Sequence, residues 1–403
     1  MTTVDSTILV EEQKEITTPP RDHRGSPIPT FGMIAARFKE LRKRRGLMIT
    51  LIIVTIGIPA IFLGVKLILH AVSPSSYGPA GGFTVYVAMS SGILFIFGFI
   101  VSATLGCTAG SIDLTEGMFR HLVVTGRSRV ALYLARIPAG LAIIVPLVAI
   151  GFTIVCLVCV FSAPTSFQFG GVEVPQGLSV SGLESWAANN AQEVVCNFPL
   201  YLGPKGVESP SSTVQNTIAN EPCGPRQFGP QFRPGGSNVG PSGAGSQTQV
   251  THAQLVEAAR AIARADFSRY ASRFRVPSNT LMIDTGLWIE LEVIVGFVVG
   301  LGLGSLIGQR TISVILMIVL QIVLTPILST ANIPHFINVQ RGIVGLATAH
   351  LTPGGLPVLA GGGGGGGNPG LLPESTFAAV CVIIAWLVAW TILGAWRMKS
   401  REA

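Results

Sequence analysis

The stretch "LWIELEVIVGFVVGLGLGSLIGQRTISVILMIVLQIVLTPILST" runs from Leu287 to Thr330, and its ionisable groups are Glu290, Glu292 and Arg310. A helix needs about 20 apolar residues to cross the hydrocarbon core of a bilayer. This stretch is long enough to do so twice, from Leu287 to Gly308 and from Thr311 to Thr330. Only Gln309 and Arg310 lie between the two halves, so a tight helical hairpin is expected. Gln321 and Pro326 interrupt the second half.

Four further segments meet the same length test: Leu47 to Val72, Phe83 to Cys107, Pro138 to Phe161, and Thr376 to Trp396. Of the 403 residues, 49% are hydrophobic and 12% charged. Soluble domains carry about 25% charged residues, so composition and segment length agree. The expected fold class is an all-α polytopic membrane protein with six transmembrane helices. The net charge of +7 raises the question of nucleic acid. The positive residues crowd the ends of apolar spans, as membrane topology requires. Aromatic residues are sparse among them, so platforms for stacking bases are lacking. Membrane lipids, not nucleic acid, are the expected contacts.

Lysine and arginine placement sets the orientation. Arg37, Lys39, Arg42, Lys43, Arg44 and Arg45 precede the first span, and the next short loop, Ser73 to Gly82, is uncharged. Arg120, Arg127, Arg129 and Arg136 follow the second span, Arg310 sits at the hairpin turn, and Arg397, Lys399 and Arg401 follow the last span. All these clusters fall on one side when both termini are cytosolic. Residues 1–30 then form a disordered cytosolic tail, because they are polar, hold four prolines and lack the apolar core of a signal peptide. Residues 31–46 form a basic amphipathic juxtamembrane helix. Residues 47–161 hold spans one to three with a cytosolic loop at 108–136. Residues 162–281 form a large extracytoplasmic insertion between spans three and four. Residues 282–396 hold spans four to six with an outer Gly-rich loop at 331–375, and 397–403 is a cytosolic tail.

The insertion divides into three parts. Ala163 to Tyr201 is mixed, with room for short strands or turns. Pro204 to Gln249 is rich in Gly, Pro, Ser and Asn and is expected to be irregular. Thr251 to Phe274 has helical periodicity in Val256, Ala259, Ala263, Phe267, Tyr270 and Phe274. Cys196 and Cys223 both fall in the insertion, where an oxidising exterior permits a disulfide; two separate thiols are the alternative. Cys156 and Cys159 have C-x-x-C spacing but lie within an apolar span, where thiols behave as small hydrophobes. Neither a metal site nor a resident cofactor is expected. Gly361 to Gly367 is an unbroken glycine run with no Gly-Lys-Ser/Thr after it, so a flexible linker is expected in place of a phosphate loop. The preceding "HLTPGGLPVLA", His350 to Ala360, has the character of a re-entrant turn, tolerated only where protein covers its backbone.

Between spans two and three lies "TEGMFRHLVVTGRSR", Thr115 to Arg129. Asp113 and Glu116 suit a helix start. Leu114, Met118 and Leu122 recur every four residues, Glu116 and Arg120 form an i, i+4 pair, and Gly126 suits a left-handed terminator. A short amphipathic cytosolic helix follows. It is a passive interfacial helix, an extension of the second span, or a docking knob for a soluble partner.

The run "GSIDLTEGMFRHLVVTGRSRVALYLARIPAGL", Gly110 to Leu141, resembles the loop between spans two and three in permeases of the type-2 ABC export family of bacteria. The matching positions are Glu116, Gly117, Arg120, Ser128 and Arg129. The six-span layout and the basic helix before span one, with Ile34, Phe38 and Leu41 on one face, are similar to that family too. The resemblance implies that Asp113, Glu116, Gly117, Met118, Phe119, Arg120, His121, Arg127, Ser128 and Arg129 form a coupling helix that seats in an ATPase (nucleotide-binding) subunit. It implies a second permease copy or sibling permease, the cytoplasmic membrane as location, and ATP and Mg bound by the partner. This chain has no Walker-type loop, so no enzymatic activity of its own is expected. The long insertion departs from the family pattern.

Glu290, Glu292 and Gln321 are the candidate gating or pathway residues. Glu290 falls at the outer boundary of span four and Glu292 about 3 Å deeper at 1.5 Å per residue. Two residues apart on a helix they point to different sides. Gln321 lies deeper in span five, where its amide needs a partner. Gly296 and Gly300 mark a helix-packing face. Two rival functions stand beside export: a membrane-anchored assembly or sensor protein acting through its outer loop, and an ion-coupled transporter.

Overall fold

The computed structural model describes residues 26–73, 79–115, 128–169, 172–195, 252–330, 337–354, 356 and 374–400. Most of these residues are helical. Helix α1, Phe31–Lys43, stops where Arg44 leaves helical geometry at ψ 79°, and Arg45 begins the next helix. The juxtamembrane helix therefore ends at Lys43, short of the expected residue 46. Helix α2 joins Arg45–Ile52, a π-helical Ile53–Gly57 and Ile58–Val72. Helix α3 joins Phe83–Val87, a π-helical Ala88–Leu94 and Phe95–Thr115. Helix α4 comprises Arg129–Leu134 and Arg136–Phe161. Strands β1, Ser166–Phe169, and β2, Val172–Pro175, form an antiparallel hairpin with Phe167 opposite Val174. Helices α5, Val180–Asn189, α6, His252–Ala265, and α7, Phe267–Arg273, follow. Helix α8 is Asn279–Ile307, and α9 joins Arg310–Ile318, a π-helical Val319–Leu324 and Thr325–Thr330. Short helices α10, Ile337–Arg341, and α11, Val344–His350, lead to α12, Thr376–Ser400.

Five helices, α2, α3, α4, α8 and α12, are long and apolar enough to cross a membrane. Expected span five is helical throughout as α9, but its apolar helix, Arg310–Gln321, is shorter than the other five. Helix α8 begins eight residues before the expected span at Leu287, because Ser278 caps it by accepting from the Leu281 N–H at 3.3 Å. Helix α12 runs on to Ser400, so the segment beginning at residue 397 continues the helix. Gly308 ends α8 in the left-handed conformation at φ 76°, which glycine adopts without Cβ strain. Arg310 is consequently the first residue of α9, not part of the turn.

Proline accounts for two of the three π-helical segments. Pro59 and Pro326 have no N–H to give the carbonyl four residues earlier. Those carbonyls belong to Thr55 and Ile322, each inside a π segment. The Thr325 hydroxyl and N–H both donate to the Leu320 carbonyl, the hydroxyl at 3.0 Å. The third π segment holds Ser90 and Ser91, whose hydroxyls donate back to the Tyr86 and Val87 carbonyls at 2.7 Å each.

Helix α8 is the centre of the bundle, and its closest partner is α3, which runs parallel to it. A Cβ at Gly300 would lie 2.6 Å from the Ala103 carbonyl oxygen, and one at Gly304 2.6 Å from that of Cys107. On the other helix, a Cβ at Gly110 would lie 2.5 Å from the Leu301 carbonyl, and one at Gly106 would overlap the Phe297 carbonyl. The Gly296/Gly300 face expected from sequence thus meets a matching small-residue face on α3, with backbone against backbone. Phe297, fully buried, fills the gap left by Gly140 of α4.

Beyond the bundle, the hairpin and α5 to α7 enclose a second hydrophobic core built on Val174, Leu183, Ala187, Val195, Ala259, Ile262, Tyr270 and Phe274. The Tyr270 hydroxyl donates to the Pro175 carbonyl at 2.7 Å and accepts from the Leu178 N–H at 2.9 Å, tying α7 to the hairpin. Arg264 pairs with both oxygens of Glu184, at 2.8 and 3.2 Å. The periodic residues expected on one helix from Thr251 to Phe274 are divided between α6 and α7, yet they share this core.

Candidate functional site

One end of the bundle gathers the basic residues. Helix α1 lies along α4, with Met33 packed among Ala131, Leu132 and Ala135. Arg129 donates to the Lys399 carbonyl at 3.5 Å, which brings the start of α4 to the end of α12. Arg136, 2% exposed, donates to the Gly110 carbonyl of α3 at 3.3 Å. Ser128 precedes α4 in extended geometry. Asp113 lies in the last turns of α3. Glu116, Gly117, Met118, Phe119, Arg120, His121 and Arg127 lie outside the described residues, as do Cys196, Cys223 and the glycine run.

The second assembly is a buried polar junction in the bundle. Glu292 is 1% exposed. Its Oε1 accepts from Gln321 Nε2 at 2.5 Å, joining α8 to the π-helical segment of α9. Pro326 therefore has a local consequence: the π turn before it carries the side chain that meets Glu292. Glu292 Oε2 is buried without a hydrogen-bond partner among the described residues. The neighbouring Thr348 hydroxyl donates instead to the Gly345 carbonyl at 3.1 Å. Gly345 closes the junction, since a Cβ there would lie 2.6 Å from Gln321 Oε1.

Helix α11 is held in place by tryptophans of its neighbours. Trp288 of α8 donates to the Thr348 carbonyl at 2.9 Å, and Trp386 of α12 to the Gly342 carbonyl at 2.7 Å. Gln340 donates to the Leu328 carbonyl at 2.5 Å. All of Val344 to Ala349 is buried. Of the stretch His350–Ala360, the expected re-entrant turn, residues 355 and 357–360 lie outside the described residues, and the buried segment that precedes it is Val344–Ala349. Two carbonyls here, those of Gly342 and Thr348, accept from indole N–H groups. His350 Nε2 and Glu374 Oε2 approach to 3.5 Å, bracketing the chain between α11 and α12. Sequence spacing gave no sign of that pairing.

Glu290 faces away from this junction, as the two-residue offset predicts. It lines a groove of about 580 Å³ between α4 and α8. The two carboxylates are therefore not a paired acid and base. Among the described residues no cluster of three His, Cys, Asp or Glu side chains is placed to hold a metal. In the unit formed by the hairpin and α5 to α7, the hydrogen bond from Arg264 holds the Glu184 carboxyl below the usual carboxylate range.

No family model, no curated protein and no solved structure matches the chain.

Proposed function

We propose that the chain is the membrane-spanning permease subunit of an ATP-driven exporter of the type-2 ABC class, working with separate ATPase subunits that bind ATP and Mg. The observation that carries the reading is the convergence at the basic end. The last turns of α3, the start of α4, helix α1 and the end of α12 meet around the entry and exit of the segment from Glu116 to Arg127. A segment anchored at both ends on packed helices is suited to receive a push from a soluble partner. Helix α3 then passes motion to α8 through the backbone contacts at Gly106, Gly110, Gly300 and Gly304. The buried Glu292–Gln321–Thr348 junction joins α8, α9 and α11, the elements that an alternating pathway would separate. Two copies of the permease or a sibling pair, placed in a bacterial cytoplasmic membrane with cytosolic termini, complete the proposal.

The test is co-purification of the chain with an ATPase subunit encoded beside its gene, followed by reconstitution in liposomes. Glu116→Ala and Arg120→Ala are expected to uncouple the partner, lowering stimulated ATP hydrolysis by tenfold or more while the complex stays assembled. Unchanged stimulation in both variants would refute coupling through this segment. A second reading rests on the separate hydrophobic core of the hairpin and α5 to α7. A membrane-anchored sensor or assembly protein would work through that unit, and would co-purify with no ATPase.

A further inference from the structure

Helix α1 spends its apolar side inside the protein. Its buried residues are Met33, Arg37 and Leu41. Met33 and Ile34 pack against the start of α4, and Phe38 and Leu41 join the main core of the bundle. A helix that holds a membrane by its apolar face needs that face uncovered, so α1 holds none in that way. What it turns outward is charge. Phe31, Lys39, Arg42 and Lys43 are exposed, and they fall within about 120° of one another at 3.6 residues per turn. Arg45, the first residue of α2, is exposed as well. The carboxylate of α1, Glu40, is bonded to Arg37 at 2.6 Å and does not offset these cations. Among the described residues none of Lys39, Arg42, Lys43 and Arg45 has an ion-pair partner.

Two features place these cations at headgroup depth. Helix α2 is one of the five helices apolar enough to cross a membrane. Its first exposed large apolar residue is Ile49, and Ile52 and Ile53 follow. Ile49 lies about 6 Å past Arg45 at 1.5 Å per residue, so the charges stand about one helical turn outside the residues that meet acyl chains. The second feature is Trp396 of α12, 60% exposed, three residues before Lys399. The Lys399 carbonyl accepts from Arg129 at the start of α4, the region on which α1 packs. Exposed tryptophan gathers at the membrane–water boundary. Clustered Lys and Arg held beside a span at that boundary attract the anionic headgroups of the membrane itself.

We propose that the outward side of α1, continued by Arg45, is a binding site for anionic phospholipid headgroups, with Lys39, Arg42, Lys43 and Arg45 donating to the lipid phosphates. The helix then joins protein to leaflet: its apolar side holds α4 and its charged side holds lipid. The site does not depend on the ATP-coupled reading, because a lipid contact needs no partner subunit.

The probe is phosphatidylglycerol carrying a photoreactive headgroup, and the control is phosphatidylcholine carrying the same group. Each is added in trace amount to phosphatidylcholine vesicles holding the full chain, and the crosslinked residues are mapped by mass spectrometry after chymotryptic digestion. Residues 39–45 are expected to take the anionic probe over the control by about fivefold or more, the preference that one fully acting cation confers. Neutralising all four cations together (Lys39→Gln, Arg42→Gln, Lys43→Gln, Arg45→Gln) is expected to bring that preference to within about twofold of unity. Neutralising Arg397 and Lys399 instead is expected to leave it unchanged. Should the fourfold variant fail to fold, the wild-type chain still decides the matter, because the preference must shrink as salt is raised from about 0.1 M to about 1 M and the screening length falls threefold. Equal labelling of residues 39–45 by the two probes would overturn the proposal. So would a preference that salt leaves untouched, or one that added polyuridylate or polyglutamate abolishes, which would assign the face to a soluble polyanion.

Discussion

Replacing Gly300 with alanine tests whether α3 and α8 meet backbone to backbone. The added Cβ would lie 2.6 Å from the Ala103 carbonyl oxygen and 3.1 Å from the Ala103 Cα, against ordinary contact at 3.4 Å or more. The shortfall of about 0.8 Å cannot be met by a side-chain rotation, because both atoms are main chain. The helices must separate, and overpacking of this kind costs about 1–3 kcal/mol. We expect Gly300→Ala to fall in the upper half of that range, because separation also loosens the contacts at Gly304 and Gly106. Gly296→Ala is the informative comparison. Its Cβ would lie 2.5 Å from Ser102 Oγ and 2.9 Å from Phe99 Cδ2, both side-chain atoms. Ser102→Ala should therefore recover more than half of the stability lost in Gly296→Ala. Ala103→Gly should recover none of that lost in Gly300→Ala, because the carbonyl remains. The assay is reversible unfolding in mixed micelles followed by tryptophan fluorescence, read as two double-mutant cycles. A Gly300→Ala protein within about 0.5 kcal/mol of wild type, or one rescued by Ala103→Gly, would refute the backbone-contact reasoning.

Other perturbations probe the polar junctions. Gln321→Leu leaves both oxygens of Glu292 without a partner and is expected to cost about 1–2 kcal/mol by the same unfolding assay; Glu292→Gln, which can still accept from Gln321, should cost less. Trp386→Phe removes the indole donor to the Gly342 carbonyl and is expected to cost about 1–2 kcal/mol, whereas Trp288→Phe should cost less, because the Thr348 carbonyl keeps its bond from the Leu351 N–H at 3.1 Å; increased protease access to residues 337–354 would report the loss. In the unit formed by the hairpin and α5 to α7, the Glu184 carboxyl titrates below its unfolded value because Arg264 donates to it. A depressed carboxylate contributes stability above its unfolded pKa and loses it as pH falls through the folded one. The thermal-stability difference between wild type and Glu184→Gln should therefore be present at pH 7 and begin to shrink as pH falls below the ordinary Glu value of about 4.3. A difference that did not change between pH 7 and strongly acidic pH would contradict the pairing.

Much of the bundle is legible because bilayer thickness turns apolar length into helices. The opposed directions of Glu290 and Glu292 also follow from sequence, since two residues rotate a helix by more than half a turn. The boundaries moved where local chemistry outruns hydropathy, as at the Ser278 cap and the extension of α12 to Ser400. The π-helical breaks were half visible: Pro59 and Pro326 announce them, but the serine-backed break at Ala88–Leu94 has no comparable signal. The Thr251–Phe274 periodicity located a buried face correctly, but not the break between α6 and α7 that lets Tyr270 reach Pro175.

By itself the sequence settles which segments are apolar enough to leave water, which ends carry positive charge, and which face of α8 is free of side chains. These are properties of neighbours a few residues apart, and helix geometry converts them directly into faces and ends. Only the tertiary structure decided that Gln321 meets Glu292, that tryptophans from two helices hold α11, and that Glu290 borders a groove between α4 and α8. Each of those depends on side chains brought together from separate helices, and their separation along the chain leaves no periodic trace to read.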